Sequence, residues 1–67
     1  MAGWGDDPTL VELRTLVYEE EWVPTTIDES TSGDTVVVSK DGEDRTFTSD
    51  HIAFHRFVEG LREDFPL

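Results

Sequence analysis

Residues 36–47 read VVVSKDGEDRTF, and this segment indicates a β-hairpin. Asp-Gly is a preferred two-residue hairpin loop, and here it joins two segments that contain β-branched and aromatic residues. A turn at Asp41-Gly42 pairs Val36 with Phe47 and sets Lys40 opposite Glu43 as an ion pair. The sequence therefore predicts two antiparallel strands in a defined register.

The segment after the hairpin has the apolar periodicity of an amphipathic helix. We expect Thr48 or Ser49 to be its N-cap, and Pro66 prevents its extension. Its apolar residues recur at i, i+3, i+4, i+7 and i+11, so they share one stripe that faces a core: Phe54, Phe57, Val58, Leu61 and Phe65.

The segment before the hairpin predicts a first helix. Asp7 is the expected N-cap and Pro8 occupies the first helical position. An apolar stripe follows, formed by Leu10, Leu13, Leu16 and Val17. We expect this helix to end near Glu19 or Glu20, because Glu20 would fall within the apolar stripe.

A short strand is predicted between the first helix and the hairpin. Pro24 excludes helix there, and residues 25–29 have the composition of a strand. Alternation along an extended chain places Val23, Thr25 and Ile27 on one face. Residues 30–34, STSGD, form a turn cluster that leads into the hairpin.

The resulting order is α-β-β-β-α, which predicts a single two-layer α+β domain over residues 7–67. Its three-stranded antiparallel sheet is packed by two amphipathic helices, and the other sheet face is left to solvent or to a partner. Residues 1–6 are expected to be a flexible N-terminal segment. The order and length resemble those of the double-stranded RNA-binding domain. That family places a lysine cluster at the start of its second helix, whereas Ser49-Asp50-His51 stand here.

Composition narrows the classes of function. The chain of 67 residues has 16 acidic and 5 basic side chains, a net charge of -11. This charge repels phosphate and anionic lipid headgroups, so we expect no direct nucleic-acid binding and no membrane association. There is no cysteine, which excludes disulfides and thiolate-bound metals.

Acidic excess with a single lysine is similar to the composition of proteins from extreme halophiles, in which dense carboxylates maintain hydration. Since the N-terminus has no apolar leader and no apolar run spans a membrane, we expect a cytoplasmic protein adapted to high salt.

A histidine pair is the candidate metal site. His51 and His55 are four residues apart on the predicted second helix, and Glu59 follows one turn later. Residues at i and i+4 share a helix face, so these three side chains could bind one divalent cation or form a pH-sensitive patch. The alternative is an ordinary solvated surface pair.

A second candidate surface lies at the end of the first helix. It consists of Tyr18, Glu19, Glu20, Glu21 and Trp22. Carboxylates oppose the dipole at a helix C-terminus, and tyrosine and tryptophan are enriched in interface hot spots. The segment is therefore either a docking patch for a basic partner or a solvated face.

No catalytic motif and no cofactor-binding motif is present, so we expect a protein that is not an enzyme and has no cofactor. The favoured hypothesis is a small acidic protein-interaction or regulatory module that binds a protein partner or forms a homodimer. One alternative is a nucleic-acid mimic that inhibits a DNA- or RNA-binding protein, which requires low salt because salt screens long-range charge. The other is a metal-responsive regulator.

Overall fold

The computed structural model describes residues 7–67, and the predicted flexible segment 1–6 lies outside the described residues. The elements are α1 (Pro8–Tyr18), β1 (Val23–Ser30), β2 (Gly33–Lys40), β3 (Glu43–Ser49) and α2 (Ile52–Asp64). The strands form one antiparallel sheet in the order β1-β2-β3. The predicted α+β fold and its element order are confirmed.

The register of the β2–β3 hairpin is also as predicted, with Val36 opposite Phe47. The backbone φ angles of Asp41 and Gly42 are 54° and 85°, and two positive angles in succession are what a tight hairpin turn requires. The predicted ion pair between Lys40 and Glu43 is wrong. Lys40 lies on the sheet face that the helices cover, and its Nζ donates a hydrogen bond to the Glu20 carbonyl, at 2.6 Å.

β1 begins earlier than predicted and contains an irregularity that changes which side chains face the core. The register shifts between Pro24 and Thr26, so Thr25 is an additional residue in this strand. Consequently Pro24 is buried and Ile27 packs against the core, whereas Val23 and Thr25 are exposed. The prediction that Val23, Thr25 and Ile27 share one face is wrong, because a β-bulge interrupts simple alternation.

Both helices cover the same face of the sheet, and the core lies between the two layers. α1 lies near β3, where Arg45 Nη1 is 3.3 Å from Glu12 Oε2, and α2 crosses above β2. The predicted stripes of the two helices supply most of the core, although Phe57 and Phe65 are only partly buried. Within residues 7–67, the buried apolar residues are Leu10, Leu13, Leu16, Val17, Trp22, Val36, Val38, Phe47, Phe54, Val58 and Leu61.

The N-termini of the two helices are linked by a hydrogen-bond network. Asp7 caps α1 as predicted, accepting from the Thr9 N–H at 3.1 Å, and its second oxygen accepts from Ser49 Oγ at 2.6 Å. The predicted N-caps of α2, Thr48 and Ser49, are instead the last residues of β3, because the ladder with β2 continues to Ser49. His51 is the N-cap of α2.

Within residues 7–67, neither helix has the length and apolar character needed to cross a membrane.

Candidate functional site

His55 is surrounded by carboxylates from three different elements. Its Nδ1 lies 2.7 Å from Oδ2 of Asp34 on β2 and 3.9 Å from Oε2 of Glu29 on β1. Its Nε2 lies 3.3 Å from Oε2 of Glu59, one turn further along α2. Both ring nitrogens therefore face acidic oxygens.

The sheet register brings these groups together. Glu29 and Asp34 are direct partners across the β1–β2 ladder, and both lie on the face that α2 covers. Asp34 continues the inward series of Val36 and Val38, so its side chain is only 4% exposed. A carboxylate buried to this extent needs a polar partner, and His55 provides it.

The charges of the cluster are only partly balanced. Arg62 Nη1 lies 2.7 Å from Glu29 Oε1, whereas Glu29 Oε2 is buried and has no hydrogen-bond partner among the described residues. The hydrogen bond with Asp34 raises the pKa of His55 above its ordinary value; desolvation opposes this, and the negative charges of Asp34, Glu59 and Glu29 add to it. The site therefore favours a positive charge at the imidazole.

The structure brings together two of the three residues that the sequence indicated as metal ligands. His55 and Glu59 are adjacent, whereas His51 has its Nδ1 occupied as acceptor for the Ala53 N–H, at 3.2 Å. Glu29 takes the third position: one ligand atom from each of Glu29, His55 and Glu59 lies within 4.8 Å of the other two. Sequence reasoning missed Glu29 and Asp34, because residues 30–34 were predicted as a turn cluster, whereas a turn of only two residues, 31–32, places Asp34 in β2 directly opposite Glu29.

A cavity of about 200 Å³ lies beside His55, between the β1–β2 turn and the start of α2. This volume is below the roughly 300 Å³ at which small-molecule pockets begin. The cavity is lined by Ser30, Thr31, Gly33, Asp34, Ser49, Asp50, Ile52 and His55.

The segment at the end of α1 separates into a buried and an exposed part. Trp22 is only 7% exposed and belongs to the core, with the Arg45 guanidinium 5.3 Å from its ring centroid. Tyr18 is 48% exposed, and its ring lies edge-on to Phe57 at 6.1 Å. The tyrosine hydroxyl donates to Asp64 Oδ2 at 2.6 Å. Burial, this hydrogen bond and the charge of Asp64 raise the pKa of Tyr18 to about 12.

The three consecutive glutamates form the chain reversal that leads from α1 into β1. The N–H groups of Glu19 and Glu20 both donate to the Thr15 carbonyl, at 2.9 and 3.1 Å. Glu21 has a φ of 66°, and the next N–H, of Trp22, returns to the helix at 2.9 Å from the Leu16 carbonyl. Of the predicted partner-binding residues, Tyr18 and the three glutamates remain exposed, whereas Trp22 does not.

The sheet face opposite the helices is uncovered in the described part of the chain. The two registers arrange its side chains in three rows across β1, β2 and β3. The rows are Asp28-Thr35-Thr48, Thr26-Val37-Thr46 and Val23-Ser39-Asp44. Only two of these nine residues are charged, and they lie at diagonally opposite corners. We call this surface the open face.

Comparisons with protein-family models, with curated proteins and with solved structures give no match. Function is therefore inferred from the arrangement of the residues themselves.

Proposed function

We propose that the chain is a small non-enzymatic interaction module that associates through its open face, with a second copy of the chain as partner. The supporting observation is the low charge of this surface. In a chain of net charge -11, seven of nine residues on the open face are uncharged, and six of the nine are threonine or valine. Two copies repel each other least when these faces meet.

The diagonal placement of the two carboxylates favours a twofold arrangement. Sheets that pack face to face keep their strand directions within about 30° of each other. A twofold axis along β2 sets Asp28 of one copy over Thr48 of the other and Asp44 over Val23. A twofold axis that lies in the interface and runs perpendicular to the strands instead sets Asp28 over Val23 and Asp44 over Thr48. In both arrangements each carboxylate meets an uncharged residue, so no like charges are opposed.

The size of the open face sets the expected strength of association. With strands about 4.8 Å apart and residues about 3.3 Å apart along each strand, the three rows and their side chains cover roughly 300 Å² in projection. Stable interfaces bury about 800 Å² on each partner. We therefore expect a weak, reversible dimer that forms at high protein concentration.

Sedimentation velocity over a range from micromolar to millimolar protein tests this proposal. Val37→Glu places a charge at the centre of the open face, and Val11→Glu adds the same charge on α1, where Val11 is exposed. We expect the wild-type chain and Val11→Glu to dimerise alike and Val37→Glu to remain monomeric. Equal association of both variants, or a wild-type chain that is monomeric at every concentration, contradicts the proposal.

We further propose that the acidic surface serves hydration in a high-salt cytoplasm. The excess of 16 acidic over 5 basic residues, with only one lysine, supports this. At molar salt the Debye length is about 3 Å, so repulsion among the carboxylates is screened. Molar KCl should raise the unfolding midpoint strongly and should also promote dimerisation. Full stability in dilute buffer that KCl does not increase would contradict salt adaptation and would favour the nucleic-acid mimic.

A further inference from the structure

We propose that Glu29, His55 and Glu59 form a binding site for a divalent transition-metal ion, with Zn²⁺ as the ion to test. Imidazole combined with carboxylates is a donor set that zinc uses in proteins. The site lies on the helix-covered face of the sheet, so it is separate from the open face and does not depend on association through it.

The spacing of two donors already matches the coordination of zinc. Zn–N and Zn–O bonds of about 2.0–2.2 Å in a tetrahedral site place the ligand atoms roughly 3.3–3.6 Å apart. Nε2 of His55 and Oε2 of Glu59 are 3.3 Å apart. Since these residues are one helical turn apart, no change of backbone is needed to present both to one ion.

Asp34 orients the imidazole for this role. Its buried carboxylate lies 2.7 Å from Nδ1, so Nδ1 carries the proton and Nε2 presents its lone pair to the ion. A carboxylate on the distal nitrogen of a ligating histidine fixes the ring and increases its basicity. The Asp34 side chain is only 4% exposed and is bonded to the histidine. This burial distinguishes the site from a group of surface carboxylates that lie close together by chance.

Glu29 supplies the third donor. One of its oxygens is held by Arg62 at 2.7 Å, which fixes the carboxylate in place. The other oxygen is buried, has no hydrogen-bond partner within residues 7–67 and lies 3.9 Å from Nδ1 of His55. One ligand atom from each of Glu29, His55 and Glu59 lies within 4.8 Å of the other two, so a small side-chain adjustment brings the three donors to one ion. A buried oxygen without a donor is destabilising, and a cation would satisfy it. Two carboxylate ligands would also neutralise the charge of the ion.

Calorimetric titration of the full chain with ZnCl₂ at pH 7.5, together with NMR of the histidine ring signals, tests the site. Glu59→Gln removes an exposed ligand, and Glu63→Gln removes an exposed carboxylate of the same helix that is outside the site. His51→Asn removes the second histidine and retains a capping side chain. Circular dichroism verifies that each variant is folded.

We expect one saturable site that shifts the His55 signals and leaves the His51 signals in place. Glu59→Gln and Asp34→Asn should each weaken binding about tenfold or more, whereas Glu63→Gln and His51→Asn should leave it unchanged. Affinity should rise with pH because the ion displaces the proton of His55, which faces Asp34, Glu29 and Glu59. No saturable binding, equal affinity in all variants, or loss of binding in His51→Asn would overturn the proposal.

Discussion

Replacing Glu21 by glycine should stabilise the protein, although the Glu21 side chain is exposed. Glu21 has a φ of 66°, the left-handed region in which a Cβ atom crowds the following carbonyl. This conformation is imposed because the next N–H must return to the Leu16 carbonyl to close the end of α1. Glycine adopts it without steric cost.

The size of the effect follows from two opposing terms. The left-handed conformation costs a non-glycine residue about 1–2 kcal/mol. Glycine also has more conformational freedom to lose on folding, which costs about 0.5–1 kcal/mol relative to alanine. The net gain of Glu21→Gly is about 0.5–1 kcal/mol. For a chain of 67 residues this corresponds to a rise in Tm of about 4–7 °C.

Thermal and urea unfolding followed by circular dichroism measure this gain, and two control variants identify its cause. Glu21→Ala retains the Cβ and removes the charge, and Glu21→Gln removes only the charge. Since a carboxylate near a helix C-terminus costs only a few tenths of a kcal/mol, both controls should gain less than glycine does. If Glu21→Gln stabilises as much as Glu21→Gly, the cause is charge and the backbone argument is refuted.

Three further predictions concern titratable groups that link elements of the fold. Tyr18 is the sole tyrosine, so absorbance near 295 nm should give a titration midpoint at about 12, and Asp64→Asn should lower it. Because the folded pKa of Tyr18 is raised, its stabilising contribution is present below pH 10 and should disappear as the pH rises through 12. For His55, whose folded pKa is also raised, the contribution is fully present below the unfolded value of about 6.5 and is lost as the pH rises through the folded value. The urea midpoint should therefore fall across that range, and His55→Gln should remove this part of the pH dependence. Asp7→Ala should destabilise the fold by about 1–2 kcal/mol in urea unfolding, since it removes the cap of α1 and the acceptor of Ser49, whereas Asp7→Ser should recover part of the loss.

The fold was predictable where short-range chemistry determines it. Asp41-Gly42 defines the register of β2 and β3, and the stripe that includes Phe54 and Leu61 defines the buried face of α2. The bulge at Thr25 was not predictable, because no turn residue marks it. Pro24 and Ile27 are three residues apart, so simple alternation would place them on opposite faces, and the bulge lets both face the same core.

Only the helical half of the candidate site could be predicted from the sequence, because short-range spacing determines that half alone. His55 and Glu59 lie on one helix, where spacing alone places them together. Glu29 and Asp34 come from two strands, and their position beneath His55 depends on the register of β1 and on the crossing of α2. His51 begins the helix, where its Nδ1 accepts the capping hydrogen bond from the Ala53 N–H, and the cluster is instead completed by Glu29.

The irregularity in β1 has a consequence for how the protein behaves when its charge is screened. β1 is an edge strand, and an edge with unpaired amides and carbonyls is a template for strand addition by other chains. Pro24 lacks an amide hydrogen, and the bulge at Thr25 bends and twists the strand, so a new strand cannot align along it. At high salt, where repulsion between copies is weak, this edge still resists fibrous growth. At the β1 edge, protection against strand addition is therefore built into the backbone as well as into the carboxylates.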